Sequence, residues 1–588
     1  MKTPPQPKIL LRNTNSSVFE KAKSLGLTDL QAKLVANRIN QTEDLEYIVF
    51  PKLKNLQNPN QLYGAKKAAG IIADAIQSDG LIVLATDYDT DGVTSAWVAR
   101  TALIEHFDVP ESRIQQIIGE RKSGYGITEE VVERILELQQ SVSLVISADQ
   151  GSSDEARIAR LKSHGIQVCV TDHHQIPLEG VPESAVCTVN PQQPECDYDK
   201  TVAGCFVIFL VMTQVRQELI QRNVLSANSP TLKNLLMNVA LGTVADSVSL
   251  QSPNNRAVVL AGLQQINQLN SPAWQAMRQL NNNNHQDFDA EFLGFQVATR
   301  INAASRVSDV TTAYRFLTAK SLEEAQYYLQ QLDTDNLNRR EQQNSMLLQA
   351  SEIADNLYQP GRYSLAIKMQ GNAGIQGIIA SRIGEKYGIP TVAMTELEDG
   401  YLAGSGRGIV PNIDLREAFQ SIENNRPGIF KSMGGHAGAA GCMIQQIDFE
   451  IFQEEFEAAI QKQIGEEPPY PFVETDGELQ PWQLTPQLID EINALQPFGR
   501  AWPSPCFAGK FAIDAVRVIG KTRTHLSFKL VSEHQQHINA VYFNALNDAS
   551  EEIPFAVGDQ IKIAFQPSLN HFMNQTTLQL RILTAQLM

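Results

Sequence analysis

The sequence predicts an α/β protein in three parts. A parallel-sheet domain is joined by a long helical linker to a second α/β domain, and an all-β barrel follows. Three observations predict this. Short apolar runs alternate with helical patterns from about residue 65 to 315. Residues 321–357 contain neither Pro nor Gly and read as continuous helix. The final segment alternates polar and apolar residues in period two, and a small barrel is the natural closure of such strands.

In chain order, residues 1–60 read as a helical lead-in with the loop FPKLKNLQNPNQL. The first domain, 61–320, carries LIVLATD (81–87), LVISAD (144–149) and QVCVTD (167–172), each a β-rich run ending in Asp. Helical patterns such as TEEVVERILELQQ and SSDEARIARLKSHG lie between them. Active sites of open parallel sheets lie beyond the C-terminal strand ends, so three aspartates converge on one place. The run NNNN (281–284) with the following HQD reads as a solvated loop. The linker spans 321–358 and the second α/β domain 359–465, with Gly-rich loops at 404–408 and 434–441. A Pro-rich joint, EEPPYPF (466–472), opens the barrel segment, 466–588, which includes HLSFKLV, INAVYFNA, QIKIAFQPSL and TLQLRIL. No internal repeat is visible.

Composition narrows the class. No apolar run of the 588 residues approaches the roughly 20 needed to span a membrane, and the N-terminus lacks an apolar signal core. Six cysteines without a CxxC pair argue against a zinc knot or disulfide framework and fit reduced thiols in the cytoplasm. A net charge of −17 argues against a protein that coats duplex DNA. It leaves open a local groove for one strand beside a carboxylate-rich metal site.

The strongest local signal is ATDYDTDGVTSA (85–96). Asp87, Asp89 and Asp91 alternate after an apolar run, and on an extended chain they would point the same way. Such carboxylates repel one another unless a cation holds them, and Gly92 would allow a tight turn into a helix. An EF-hand loop also begins D-x-D-x-D-G, but it needs a preceding helix and Glu at its twelfth position. Here the preceding segment is strand-like and that position is Val98. Asp149 in VISADQGSS follows a second strand, though a strand-end Asp is usually a helix cap. CVTDHHQ places Asp172, His173 and His174 at a third, and VALGTVADSVSL supplies Asp246 after another apolar run. This carboxylate and imidazole set suits Mn²⁺ well and Mg²⁺ less selectively, with donors enough for two ions. No Walker A motif occurs, and no Gly-x-Ser-x-Gly elbow stands out. In the second α/β domain, GSGRGI (404–409) and GGHAGAAG (434–441) offer backbone N–H groups that could cradle phosphate, and Arg407 adds a guanidinium. Arg300 and Arg306, in TRINAASRVSD, are candidate backbone contacts or surface ion pairs.

DYDTDG, ADQGSS, TDHHQ and GTVADSV resemble, in order and spacing, the four motifs of the DHH phosphoesterase family. GGHAGAAG resembles the glycine-rich motif of the accompanying DHHA1 domain. FPKLKNLQNPNQLYGAKKA, RINAASR and the terminal barrel further resemble the RecJ exonuclease branch, whose barrel is an OB-fold. The resemblance implies a 5′→3′ exonuclease that hydrolyses single-stranded DNA to mononucleotides by two-metal cleavage, in recombination and repair, with Mn²⁺ or Mg²⁺. Asp87, Asp89, Asp91, Asp149, His173 and Asp246 take the metal positions by motif, and His174 would sit beside the scissile phosphate. Implied strand contacts are Arg121, Tyr125, Arg300, Asn302, Arg306, Asn372, Ser405, Arg407, Gly434, Gly435 and His436. A cleft between the lobes would admit one strand and exclude duplex. A cytoplasmic monomer working with a single-strand binding protein and a RecQ-type helicase is implied too.

The chain departs from the branch at several points. Gly371 and Asn372 stand where a Trp-His pair is usual. Glu120 occupies an expected Arg position, with Arg121 one place later. Ser305 replaces Gly in AAGR, and AWPSP (501–505) replaces GNPEP. None removes a metal ligand. The competing readings are a different DHH oligonucleotide or cyclic-dinucleotide phosphodiesterase and a catalytically weak or silent single-strand-binding scaffold. The terminal barrel and the complete acidic set weigh against them.

Overall fold

The computed structural model describes residues 5–280, 287–397, 399–546, 549–572 and 575–588. The asparagine run therefore lies outside the described residues. The chain divides into two compact units, one of residues 41–338 with 497–503, the other of 1–40, 339–496 and 504–588.

The first unit holds the parallel sheet, ordered Ile114–Ile118, Leu81–Thr86, Val142–Ala148, Val168–Thr171, Cys187–Val189, with every pair parallel. The strands are apolar runs rather than alternating ones because helices cover the sheet. Val83, Ala85, Val145 and Val170 pack against Val131 and Ile135 of the helix Glu129–Leu136 and against Ile158 and Leu161 of Glu155–Ser163. Helices Thr90–Thr101 and Gly204–Gln221 also pack on these strands. Leu81–Thr86, first of these strands in the chain, has the second on one side and the third on the other. Strand order reverses there, which is where an open sheet forms its ligand crevice.

The linker is one helix, Leu322–Leu357, of 36 residues, about 54 Å at 1.5 Å per residue. In the second unit a mixed sheet runs Phe430–His436, Ala439–Gln445, Tyr401–Arg407, Thr391–Glu396, Leu365–Met369, with only the last pair parallel. This corrects the expected Gly-rich loops, because 404–407 and most of 434–441 are paired strand. Ser405 faces Gly441, and Gly434 faces the same residue from the other side. The glycines serve close packing. A Cβ on Gly404 would meet Cys442 Sγ at 2.8 Å, and one on Gly435, at φ +133°, would meet the Ala439 carbonyl at 2.5 Å.

The C-terminal strands close into a barrel in the order Phe507–Ile519, His525–Val531, His537–Tyr542, Gln575–Leu587, Gln560–Phe572. Phe507, Phe511, Phe528 and Phe565 fill it. The lead-in contains a strand that sequence patterning did not reveal: Lys8–Leu11 pairs in parallel with Phe472–Thr475. Arg38 then anchors the N-terminal helices through a buried two-pronged pair with Asp476, at 2.8 and 2.9 Å.

Candidate metal centre

The DYDTDG segment does not run extended. Asp87 ends the strand, Asp89 caps a helix and Asp91 lies in that helix, Thr90–Thr101. Asp89 Oδ1 accepts from the N–H groups of Asp91 at 2.8 Å and Gly92 at 3.1 Å. The carboxylates converge because the chain turns from strand to helix within the motif. Gly92 is required by close approach to the Asp87 backbone rather than by a left-handed turn. Asn302 fixes the same turn, its Oδ1 accepting from Thr90 N at 2.8 Å and Thr90 Oγ1 at 2.9 Å.

Asp91 is buried against the start of the helix Gly204–Gln221, where Gly204 N donates to Oδ2 at 2.6 Å and Cys205 N to Oδ1 at 2.9 Å. That helix end meets the carboxylate with its positive pole. Asp149 caps no helix. It adopts φ +61°, uncommon for a non-glycine residue, and Gly204 has no side chain because a Cβ would lie 2.5 Å from Asp149 Oδ1. The apolar run before Asp246 is helix, Leu236–Ala245, with Asp246 at its C-terminal end, where the dipole disfavours an anion.

His173 Nε2 stands at the middle of this group, 3.1 Å from Asp149 Oδ1 and 3.7 Å from both Asp91 Oδ2 and Asp246 Oδ2. Three sets of donors lie close enough to share an ion: Asp87, Asp89 and Asp149; Asp91, His173 and Asp246; and Asp149, His173 and His174. Burial, then repulsion from neighbouring aspartates, pushes Asp87, Asp149 and Asp246 well above the usual carboxylate range. Burial lowers His173, so its imidazole is neutral and free to donate a lone pair. Asp87 Oδ1, Asp149 Oδ1 and His173 Nε2 are buried without a hydrogen-bond partner. Orphaned acceptors in a repelling cluster are what a divalent cation would satisfy, so these residues fit Mn²⁺ or Mg²⁺.

Unlike Asp87 and Asp149, whose Oδ1 atoms are orphaned, Asp172 has both oxygens occupied. Oδ1 accepts from the N–H groups of His173 at 2.7 Å and His174 at 3.2 Å, and Oδ2 from Ser152 N at 3.0 Å. His174 Nδ1 lies 2.8 Å from the same Oδ1. Burial opposes both charges of this pair, yet the pairing holds Asp172 well below the carboxylate range and raises His174 to about 9. The Tyr125 hydroxyl lies 2.7 Å from His174 Nδ1 and donates to the Asp149 carbonyl at 2.9 Å. Asp172 thus orients the histidine pair, a role its strand-end position alone did not distinguish from metal binding.

The other named residues fall as follows. Arg121 lies 4.4 Å from the Tyr88 ring centroid and reaches Ser305 Oγ at 3.5 Å, so two departures from the branch pattern face each other. Arg300 is committed to Asp333, at 2.8 and 2.9 Å. Arg306 lies in the helix Thr299–Val307, near enough for its charge to act on Tyr88. Asn372 caps a short turn through Gly374 N at 2.8 Å and donates to Gln342 at 3.0 Å. Arg407, half-buried, donates to Ser405 Oγ at 3.0 Å and the Gly406 carbonyl at 2.7 Å, and among the described residues no carboxylate pairs with it. Gly434 faces open space where a Cβ would be. The side chain of His436 lies outside what the structure describes.

Known sequences and structures resemble this chain along most of its length. Family models match for the DHH family, N-terminal domain (81–243), the DHHA1 domain (362–464) and the RecJ OB domain (475–584). The single-stranded-DNA-specific exonuclease RecJ of Haemophilus influenzae is 31% identical across 93% of this chain and 94% of its own length. The chain belongs to the RecJ family. The Escherichia coli RecJ is 29% identical over 95% of both chains. The crystal structure of RecJ in complex with Mn²⁺ from Thermus thermophilus shares the fold, with a TM-score of 0.78 at 23% identity, covering 98% of this chain and 80% of that one. A structure of exonuclease RecJ bound to manganese covers 69% of this chain and 96% of its own, with a TM-score of 0.56 at 26% identity. Among the described residues no helix is long and apolar enough to cross a membrane.

Proposed function

We propose that this chain is a metal-dependent exonuclease that hydrolyses single-stranded DNA from the 5′ end to mononucleotides. The observation that carries the reading is the convergence of orphaned donors at the strand ends. Relatives across the whole length, named as single-stranded-DNA-specific exonucleases, support it. Asp87, Asp89, Asp91, Asp149, His173 and Asp246 would hold two Mn²⁺ or Mg²⁺ ions. Such ions supply Lewis acidity, easing deprotonation of water and offsetting charge on phosphoryl oxygens.

The chain's own residues divide the remaining work. Asp172 keeps His174 cationic at neutral pH and turns it beside the donor cluster, where it would donate to a phosphate oxygen. Tyr125 braces that imidazole. Asp91 is held by two backbone N–H groups, so its carboxylate does not swing when substrate arrives. Ser405 and Arg407 would grip strand phosphates, since among the described residues no carboxylate pairs with Arg407. The domain division follows the same reading: catalysis in 61–320, a helical linker at 321–358, strand grip in 359–465 and single-strand binding in 466–588, after a lead-in of 1–60. We place the protein in the cytoplasm as a monomer in recombination and repair, with a single-strand binding protein and a RecQ-type helicase as partners.

The test is digestion of single strands labelled at either end, in Mn²⁺, Mg²⁺ or chelator. Early metal-dependent release of the 5′ label as a mononucleotide, with duplex spared, is expected. Early release of the 3′ label would overturn the polarity, and strand binding without digestion would overturn the enzyme.

A further inference from the structure

The first three residues of AWPSP (501–503), a departure from the branch pattern just before the barrel, belong to a strap on the metal-bearing unit. Residues 497–503 join 41–338 in one compact body. Trp502 is wholly buried, with the Arg256 guanidinium 4.5 Å from its ring centroid. Arg256, itself fully buried, donates to the carbonyls of Ile48 at 2.6 Å, Pro497 at 3.1 Å and Leu250 at 3.3 Å. An arginine satisfied by three carbonyls from separate stretches ties the strap in place.

The strap's tip is fixed as firmly. Gly499 and Trp502 exchange both backbone hydrogen bonds, at 2.9 and 3.1 Å, leaving Arg500 and Ala501 at the corner of a tight turn. Ala501 takes φ +62°, where glycine would be less strained. The Arg500 carbonyl accepts from Leu250 N at 2.9 Å, and the Ala501 carbonyl from Gln251 Nε2 at 3.0 Å. The corner is therefore pinned to the loop that follows Asp246. Arg500 is exposed, and among the described residues its side chain makes no hydrogen bond or ion pair. Through Leu250 the corner stands four residues along the chain from Asp246.

A polyanionic strand approaching this carboxylate cluster is repelled unless cations meet its phosphates. A guanidinium on a rigid corner, in solvent and unclaimed by any carboxylate, is suited to two-pronged phosphate binding. We infer that Arg500 is a substrate-binding residue that takes a strand phosphate on the Asp246 side of the metal centre. This rests on the strand-hydrolase reading above and adds to it a contact from a segment distant in the chain.

The experiment compares wild type, Arg500→Gln and Arg500→Lys. Affinity for a fluorescent phosphorothioate-linked single strand is measured in Ca²⁺ across a salt series, and Mn²⁺ affinity of the strand-free proteins by calorimetry. Arg500→Gln should bind the strand about tenfold more weakly. Its slope of log affinity against log salt should fall by about 0.7, one phosphate contact on a single strand. Arg500→Lys should recover most of the slope, and Mn²⁺ affinity should not drop in either variant. Unchanged strand affinity and slope in Arg500→Gln would overturn the inference. So would a loss of Mn²⁺ affinity with strand binding intact, which would make Arg500 a support for Asp246. Failure of the wild type to bind any strand would overturn the strand-hydrolase reading itself.

Discussion

Two buried charged clusters sit in this chain, and they are built on opposite principles. Around Asp476 every charge is answered. Its Oδ1 accepts from Arg38 Nη1 at 2.8 Å and Asn37 Nδ2 at 3.0 Å, and its Oδ2 from Arg38 Nη2 at 2.9 Å and Cys506 N at 3.0 Å. Around His173 gather Asp87, Asp89, Asp91, Asp149 and Asp246, and Asp87 Oδ1, Asp149 Oδ1 and His173 Nε2 go unpartnered. The first cluster is complete in the folded chain. The second opposes folding and is completed only by something bound. Buried charge alone therefore does not mark a functional site in this protein; several like charges converging with orphaned acceptors do.

The contrast predicts opposite responses to mutation. The largest effect is expected for Asp149→Asn. Strand hydrolysis should fall about a thousandfold or more as a metal donor is lost, while the metal-free protein melts at a higher temperature because repulsion is relieved. A variant that melts lower without metal would break the contrast. Arg38→Ala should do the reverse. It strands the Asp476 carboxylate and should cost about 3–5 kcal/mol in denaturant titration, with Mn²⁺ affinity unchanged. Next, Mn²⁺ at about a hundred times its dissociation constant should stabilise the wild type by roughly 2.7 kcal/mol. The gain should shrink in Asp149→Asn and persist in proportion in Arg38→Ala.

The parallel sheet, the linker helix and the barrel were legible because their periodicities are long and unmixed. The convergence of Asp87, Asp149 and His173 was legible because strand ends in a parallel sheet meet at one edge. Misreadings came where tertiary packing decides local form. Gly404, Gly435 and Gly441 look like turn residues until a neighbouring strand is laid against them. Asp91 reads as one of an extended series until the helix at Gly204 claims its oxygens. The short strand Lys8–Leu11 has too few residues to show a period, and its partner, Phe472–Thr475, lies at the far end of the chain. Arg500 carried no signal at all, because only the burial of Trp502 against Arg256 brings it to the site.

The smallest expected effect sharpens the contrast at an intermediate case. Asp154 is buried and answered once, by Ile127 N at 2.8 Å, and a Cβ on neighbouring Gly126 would lie 2.6 Å from its Oδ2. It thereby holds the loop that presents Tyr125 to His174. Burial lifts its carboxyl to about 6, the Ile127 hydrogen bond offsetting only part of the cost. An acid whose folded-state pKa is raised keeps its proton in the folded chain where the unfolded chain has released it. Its contribution to stability is therefore full below about pH 4 and is lost as pH rises to about 6. The loss should be on the order of 3 kcal/mol, flat above that window. Asp154→Asn keeps an acceptor for Ile127 and cannot ionise, so denaturant titrations from pH 4 to 7 should show a shallower decline than wild type by that amount. Parallel curves for the two proteins would mean that Asp154 ionises freely, and that a single backbone hydrogen bond suffices to place it with the satisfied cluster rather than between the two.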